Sequence, residues 1–188
     1  MNTSCSILWR RLDRPGHEAA SLVRRQGGWE LAGSSVFAHG GVPVRLDYLI
    51  VCDGRWQTCS VQIRGWVGAT PIALDLAVDE TRHWQQNAVE RPAVAGCIDV
   101  DLGFSPATNL LPIRRLELAV ARAADVRAAW LGFPSLSLEP LNQRYERTGL
   151  RTYHYESAGG EFRTELEVNA AGFVTRYPGL WQAEAAVS

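Results

Sequence analysis

Between residues 7 and 91 the chain is cut at even intervals by turn-forming pairs, and between the cuts its apolar residues recur at every second position. Gly27-Gly28, Gly40-Gly41, Asp53-Gly54 and the polar Asp79-Glu80-Thr81 leave segments of roughly ten residues, the spacing of successive hairpins. Val42, Val44, Leu46, Tyr48 and Ile50 share one face, with Arg45 and Asp47 opposite. Beyond Asp53-Gly54, Cys59, Val61 and Ile63 form one face, and Trp56, Thr58, Ser60, Gln62, Arg64 and Trp66 form the other. Ile72, Leu74, Leu76 and Val78 then alternate with Ala73, Asp75, Ala77 and Asp79. Successive side chains on a strand point to opposite faces, so a period of two between tight turns predicts an antiparallel meander. The fold class expected is mainly β (α+β by count), a sandwich or barrel.

The remainder is less regular. His17 to Arg25 fits a short helix or a strand, because Ala19, Ala20, Leu22 and Val23 suit the first and the Gly-Gly turn behind them suits the second. Ala123 to Leu131 is expected to form a short helix, with Phe133-Pro134 and Glu139-Pro140 forcing a loop after it. Arg151 to Glu156 and Glu161 to Val168, joined by Ser157-Ala158-Gly159-Gly160, make a second hairpin, with Phe162, Leu166 and Val168 inward and Arg163, Glu165 and Glu167 outward. Gly172 to Tyr177 supplies a last strand. With 188 residues, no internal repeat and no linker-like stretch, the chain is expected to be one domain with its core in 7–181.

A formal net charge of -1 gives no electrostatic case for nucleic acid or an anionic membrane. All 19 basic residues are arginine, which biased codon usage explains as well as any ligand does. Cys5, Cys52, Cys59 and Cys97 lack metal-type spacing, and Cys52 and Cys59 sit at unequal offsets from their turn, so they would not face each other across it. They read as small buried hydrophobes. The N-terminus lacks a signal-peptide core, and no apolar run approaches the ~18 residues of a membrane span. A cytoplasmic protein with reduced thiols is expected. The four histidines are scattered, and no nucleotide, zinc-protease or serine-hydrolase fingerprint occurs, so neither a cofactor nor a metal is expected.

Polar chemistry concentrates in Gly96 to Leu116. If Ile98 to Leu102 is a strand, Asp99 and Asp101 project from one face while Ile98, Val100 and Leu102 anchor the other. Two such carboxylates lie within ~7 Å and could ligate a cation or flank a sugar; alternatively they pair with Arg114, Arg115 or backbone amides to fix the turn. Ser105-Pro106 has the form of a helix entry, and Pro112 is expected to interrupt that helix within two turns. Thr108 and Asn109 would occupy the turn after it, where Asn caps backbone groups. On a following strand only one of Arg114 and Arg115 could serve a given site. Among seven tryptophans, Trp56 and Trp66 share a face with Arg64 and several hydroxyl residues. Such a mixture suits stacking on sugar rings, or equally a covered or solvent-facing surface.

The phrase D-V-D-L-G-F-S-P-A-T-N-L-L-P-I-R-R-L, followed by L-x-Q-x-Y at Leu141 to Tyr145 and Y-P-G-L-W at Tyr177 to Trp181, closely resembles the bacterial putative glycolipid-binding family, first defined as a domain of unknown function. The likeness runs from about Trp9 to Trp181. It implies an antiparallel meander forming an incompletely closed, curved β-barrel with one to three short helices, resembling the carriers that shuttle lipoproteins, and a glycolipid as ligand class.

Three functions follow as expectations. The first is a non-enzymatic binder of an amphipathic molecule, with the tail against the meander's aliphatic residues and the head group held by Trp56, Arg64, Trp66, Asp99, Asp101, Asn109 and Arg114. The second is an enzyme acting on a glycan or lipid through Asp99 and Asp101, which requires a desolvated carboxyl of raised pKa lining a pocket. The third is an interaction module whose tryptophan-bearing face meets another protein or a second copy in a homodimer.

Overall fold

The computed structural model describes residues 4–187. Its strands are β1 Ser4–Arg11, β2 Gly16–Arg25, β3 Gly28–His39, β4 Val42–Asp53, β5 Thr58–Val67, β6 Thr70–Val78, β7 Trp84–Gln86, β8 Val89–Glu90, β9 Val100–Leu102, β10 Arg122–Leu131, β11 Leu138–Arg147, β12 Thr152–Ser157, β13 Phe162–Val168, β14 Val174–Tyr177 and β15 Trp181–Val187. One α-helix, α1 (Leu110–Leu116), is preceded by a single 3-10 turn at Ala107–Asn109. All fifteen strands form one sheet: β1 to β8 run outward in chain order from one side of the β1–β15 pair, and β14 back to β9 from the other. β9 and β10 run parallel, which a tight turn cannot achieve, and α1 lies in the long connection between them.

The sheet does not close, since β8 and β9 stand at its two edges. It is curved enough to bring the start of β5 against β9: the Thr58 amide donates to the Ile98 carbonyl (3.2 Å), and the Thr58 hydroxyl accepts the Val100 amide (3.1 Å). Inward residues of both halves therefore share one core. Leu46, Ile50, Ile63 and Leu76 belong to the same cluster as Leu102, Leu131, Leu166 and Val174, and Leu110, Leu111 and Ile113 of α1 are buried in it. Each such side chain contributes about 1.5–3 kcal/mol of hydrophobic stabilisation.

His17 to Arg25 forms strand β2, paired along its length with β3. Ala123 to Leu131, read as a helix, is strand β10 instead. Its alanines favour a helix locally, yet ten residues pair in register with β11 and tertiary pairing overrides that preference. Glu139-Pro140 lies inside β11. Ala129, opposite Pro140, turns its amide away to the Asp99 carbonyl, so the proline nitrogen faces away from β10. On that side β12 pairs only with Gln143–Arg147, so the missing donor breaks no ladder bond.

Pro112 does not interrupt α1. It occupies the helix's first turn, where its N–H would have no partner within α1. Consequently Thr108 and Asn109 precede the helix, and Arg114 and Arg115 sit on its last turn and not on a strand.

Candidate functional site

The two aspartates, two positions apart, meet different partners. Asp99 is buried, and its oxygens accept Nε and Nη2 of Arg115 at 3.0 and 2.5 Å. Burial pushes this carboxyl up, while the Arg115 fork and the Arg82 guanidinium pull the other way. The pair ties α1 to the residue before β9 and neutralises Asp99 within the core.

Asp101 is held differently. Its Oδ1 accepts the Thr108 hydroxyl at 3.2 Å and its Oδ2 accepts Gln143 Nε2 at 2.6 Å. Burial raises its pKa to about 6, partly offset by those two hydrogen bonds. A carboxylate has roughly four lone-pair directions, so about two remain for a ligand.

A cleft of about 400 Å³ opens beside Asp101, within the range of small-molecule sites. Tyr155, Phe162, Tyr177, Trp130 and Trp181 line it with Asp101, Asn109 and Ser105. Tyr155, Phe162 and Tyr177 form a mutually packed triangle, with ring centroids 6.1 to 6.3 Å apart. The Tyr177 hydroxyl has no hydrogen-bond partner among the described residues. Trp130 is seated between two glycines: a Cβ on Gly103 would stand 2.8 Å from its Nε1, and one on Gly132 would stand 3.0 Å from its benzo ring. Asn109 is largely committed, donating to the Pro106 carbonyl and accepting from the Tyr145 hydroxyl, which leaves one amide hydrogen free.

Ser105 connects this cleft to a buried carboxyl that sequence reading passed over. Its hydroxyl donates to Glu18 Oε1 at 2.5 Å, and the Tyr48 hydroxyl donates to the same oxygen at 2.7 Å. Burial raises Glu18 to about 7, against the downward pull of those two bonds and of the Arg11 charge. Its Oε2 and the Ser35 hydroxyl are both buried without a partner, and the two residues face each other in the β2–β3 register. The signal was present: Glu18 occupies an inward position of the alternation that continues through Ala20 and Leu22.

The other expected head-group residues scatter. A bulge pairs Val51 with Ser60 but Cys52 with Thr58, leaving Cys59 as an extra residue that turns Thr58 inward. Trp56 therefore does not share a face with Trp66. It sits in the turn before β5, buried and stacked on Trp29 (4.3 Å), with the Arg114 guanidinium 5.1 Å from its ring. Arg64 lies outside, paired with Asp75, and Trp66 beside it is 37% exposed. Arg114 lines a second cleft. The aliphatic residues of β4 and β5 offer no open wall for a tail, because Val44, Leu46, Ile50, Val61 and Ile63 are 0% exposed within the core. A larger recess of about 660 Å³ lies over Ala19, Ser21, Ala32 and Ser34 on the outer face, with no ionisable group but the Tyr48 phenol.

Among the described residues no group of three or more His, Cys, Asp or Glu side chains converges to hold a metal ion. No helix there is long and apolar enough to cross a membrane.

None of the curated proteins compared with the chain matches it. A solved structure does: the crystal structure, at 1.80 Å resolution, of a DUF1089 family protein from Pseudomonas aeruginosa is 32% identical, with a TM-score of 0.78 over 88% of this chain and 90% of that one. The profile of the family described as "Putative glycolipid-binding" matches residues 6–183, so the chain belongs to that family.

Proposed function

We propose that the protein binds an amphipathic molecule and that a sugar-bearing head group occupies the aromatic cleft beside Asp101. The observation that carries this reading is convergence. Asp101, Gly103, Ser105 and Asn109 come from the central phrase, Leu141 from L-x-Q-x-Y, and Tyr177, Leu180 and Trp181 from Y-P-G-L-W, and all line one cleft. Gln143 and Tyr145 of the middle motif reach Asp101 and Asn109 from beneath.

Tyrosine and tryptophan rings give apolar faces to a sugar ring while the Tyr177 hydroxyl, the free Asn109 amide hydrogen and the free Asp101 lone pairs take its hydroxyls. Leu141, Phe162 and Leu180, each partly exposed, meet the first carbons of the tail. Glycoside hydrolysis generally needs a second carboxyl across the bond being cut. Asp101 meets the condition for an enzyme, a desolvated carboxyl of raised pKa lining a cleft. Asp99, however, is paired with Arg115, and among the described residues no second carboxylate lines that cleft, which favours binding over glycoside hydrolysis.

Native mass spectrometry of the purified protein tests this directly, followed by tryptophan-fluorescence titration with an alkyl glucoside, free glucose and an alkyl phosphocholine. The alkyl glucoside should bind best, and Tyr177→Phe should weaken it about fivefold, the effect of one lost hydrogen bond near 1 kcal/mol. No co-purified lipid together with no alkyl-glycoside binding would sink the reading, as would affinity unchanged in Trp130→Ala.

A further inference from the structure

A second cleft, about 400 Å³, lies beyond the C-terminal turn of α1 and shares no lining residue with the first. Arg114, Arg147, Arg151, Asn169, Tyr153 and Glu117 line it. We propose that this cleft is an oxyanion site, taking a phosphate group of a phosphomonoester, whether soluble or carried by a lipid.

The donors come first. Arg114 makes no hydrogen bond and no ion pair among the described residues, and its Nε is buried without a partner. Its stem passes over Gly172, where an added Cβ would stand 3.0 Å from Arg114 Cδ, and its guanidinium rests against Trp56. The side chain is thus held in place by packing while its charge is left unpaired. Asn169 Oδ1 accepts the amides of Ala171 and Phe173, which fixes the amide's orientation. Its Nδ2 is therefore a donor, and it too is buried without a partner. Buried donors are nearly always satisfied, and here two residues that line one cleft each carry an unsatisfied one, which points to an acceptor at that place.

Charge then selects an anion. Arg147 spends its N–H groups on the carbonyls of Leu118, Gly149 and Leu150, so it is rigid yet paired with no carboxylate. Arg151 is exposed at the rim, also without a carboxylate partner among the described residues. Against these three guanidiniums stands one carboxylate, the exposed Glu117. A water could satisfy the two donors, but it would leave this surplus positive charge unanswered.

The test compares melting temperatures in inorganic phosphate, glycerol phosphate and short-chain phosphatidic acid with chloride of equal ionic strength. Arg114→Met keeps the stem over Gly172 and removes the charge. Asn169→Asp keeps the acceptor for Ala171 and Phe173 but replaces the donor with a negative charge in the cleft that Arg114 also lines. Phosphate or glycerol phosphate should raise the melting temperature, and either variant should weaken the affinity about tenfold or more. Asn169→Asp should also melt higher than the parent without any anion, since its carboxylate fills the vacant place. Glu117→Gln should tighten binding a few-fold. A shift from phosphatidic acid alone supports the site with a lipid as its source. No shift from any of the three probes, or a shift that survives Asn169→Asp, overturns it. Because the two clefts share no residue, alkyl-glucoside binding and phosphate binding can fail separately, which tells the two readings apart.

Discussion

Glu18 provides the sharpest quantitative test of the structure, because burial displaces its carboxyl from 4.5 to about 7. In the unfolded chain this proton leaves near the ordinary glutamate value, whereas in the folded protein it stays on until near neutrality. Between those values the folded state binds more protons than the unfolded one, so stability falls as pH rises from about 4.5 to about 7. At about 1.4 kcal/mol per pH unit, the loss amounts to about 3 kcal/mol by pH 8. Glu18→Gln mimics the protonated form: its amide oxygen accepts from Tyr48 and Ser105, and its nitrogen donates to the orphaned Ser35 hydroxyl. Variant and parent should therefore melt within about 1 kcal/mol of each other at pH 5. At pH 8 the variant should be the more stable by about 3 kcal/mol, or roughly 6–12 °C for a chain of this length. Asp101 also titrates below neutrality, but it is present in both proteins and cancels in the difference. The assay is thermal and urea unfolding of both proteins at unit intervals from pH 5 to 8. A difference that stays flat across that range, or grows in the parent's favour as pH rises, would refute the placement of Glu18 as a neutral buried acid.

Other perturbations follow from the same geometry. Arg115→Leu leaves Asp99 buried and unpaired and should cost about 3–5 kcal/mol in chemical denaturation, while adding Asp99→Asn to it should recover most of that loss. Gly103→Ala puts a methyl group against the Trp130 indole and should destabilise by about 1–3 kcal/mol while abolishing the fluorescence response to an alkyl glucoside. Asp101→Asn should remove that part of the pH dependence which lies between about 4 and 6, the interval over which burial moves this carboxyl. There the parent's stability falls more steeply with rising pH than the variant's, in which Glu18 still titrates, and the difference between the two proteins at pH 4 and 7 isolates Asp101.

How much of this was legible in advance differs from element to element. The meander was, because alternation at Val44 to Ile50 and Leu74 to Val78 is a direct imprint of strand geometry, and tight turns between such segments leave antiparallel pairing as the outcome. The second hairpin was legible for the same reason, down to Leu166 and Val168 inward and Arg163, Glu165 and Glu167 outward. Strand β10 was not, since its alanines carry no period-two signal and its pairing with β9 and β11 is visible only in three dimensions. Nor was the inward turn of Thr58, because one bulged residue inverts every assignment on its far side.

The candidate site divides along the same line. Sequence alone determined which stretches carry unusual chemistry: the two aspartates, the Gln and Tyr of the middle motif, and the aromatics near the end of the chain. Their destinations were a tertiary matter. Asp99 and Asp101 are the same residue type on one short segment, yet one is neutralised by Arg115 from α1 while the other meets Gln143 from β11 and a cleft walled by β12 to β15. Those partners lie up to 80 positions away in the chain. Whether a carboxyl ends as a structural ion or as a ligand's contact depends on the distant groups that the curved sheet brings against it, and local sequence does not encode them.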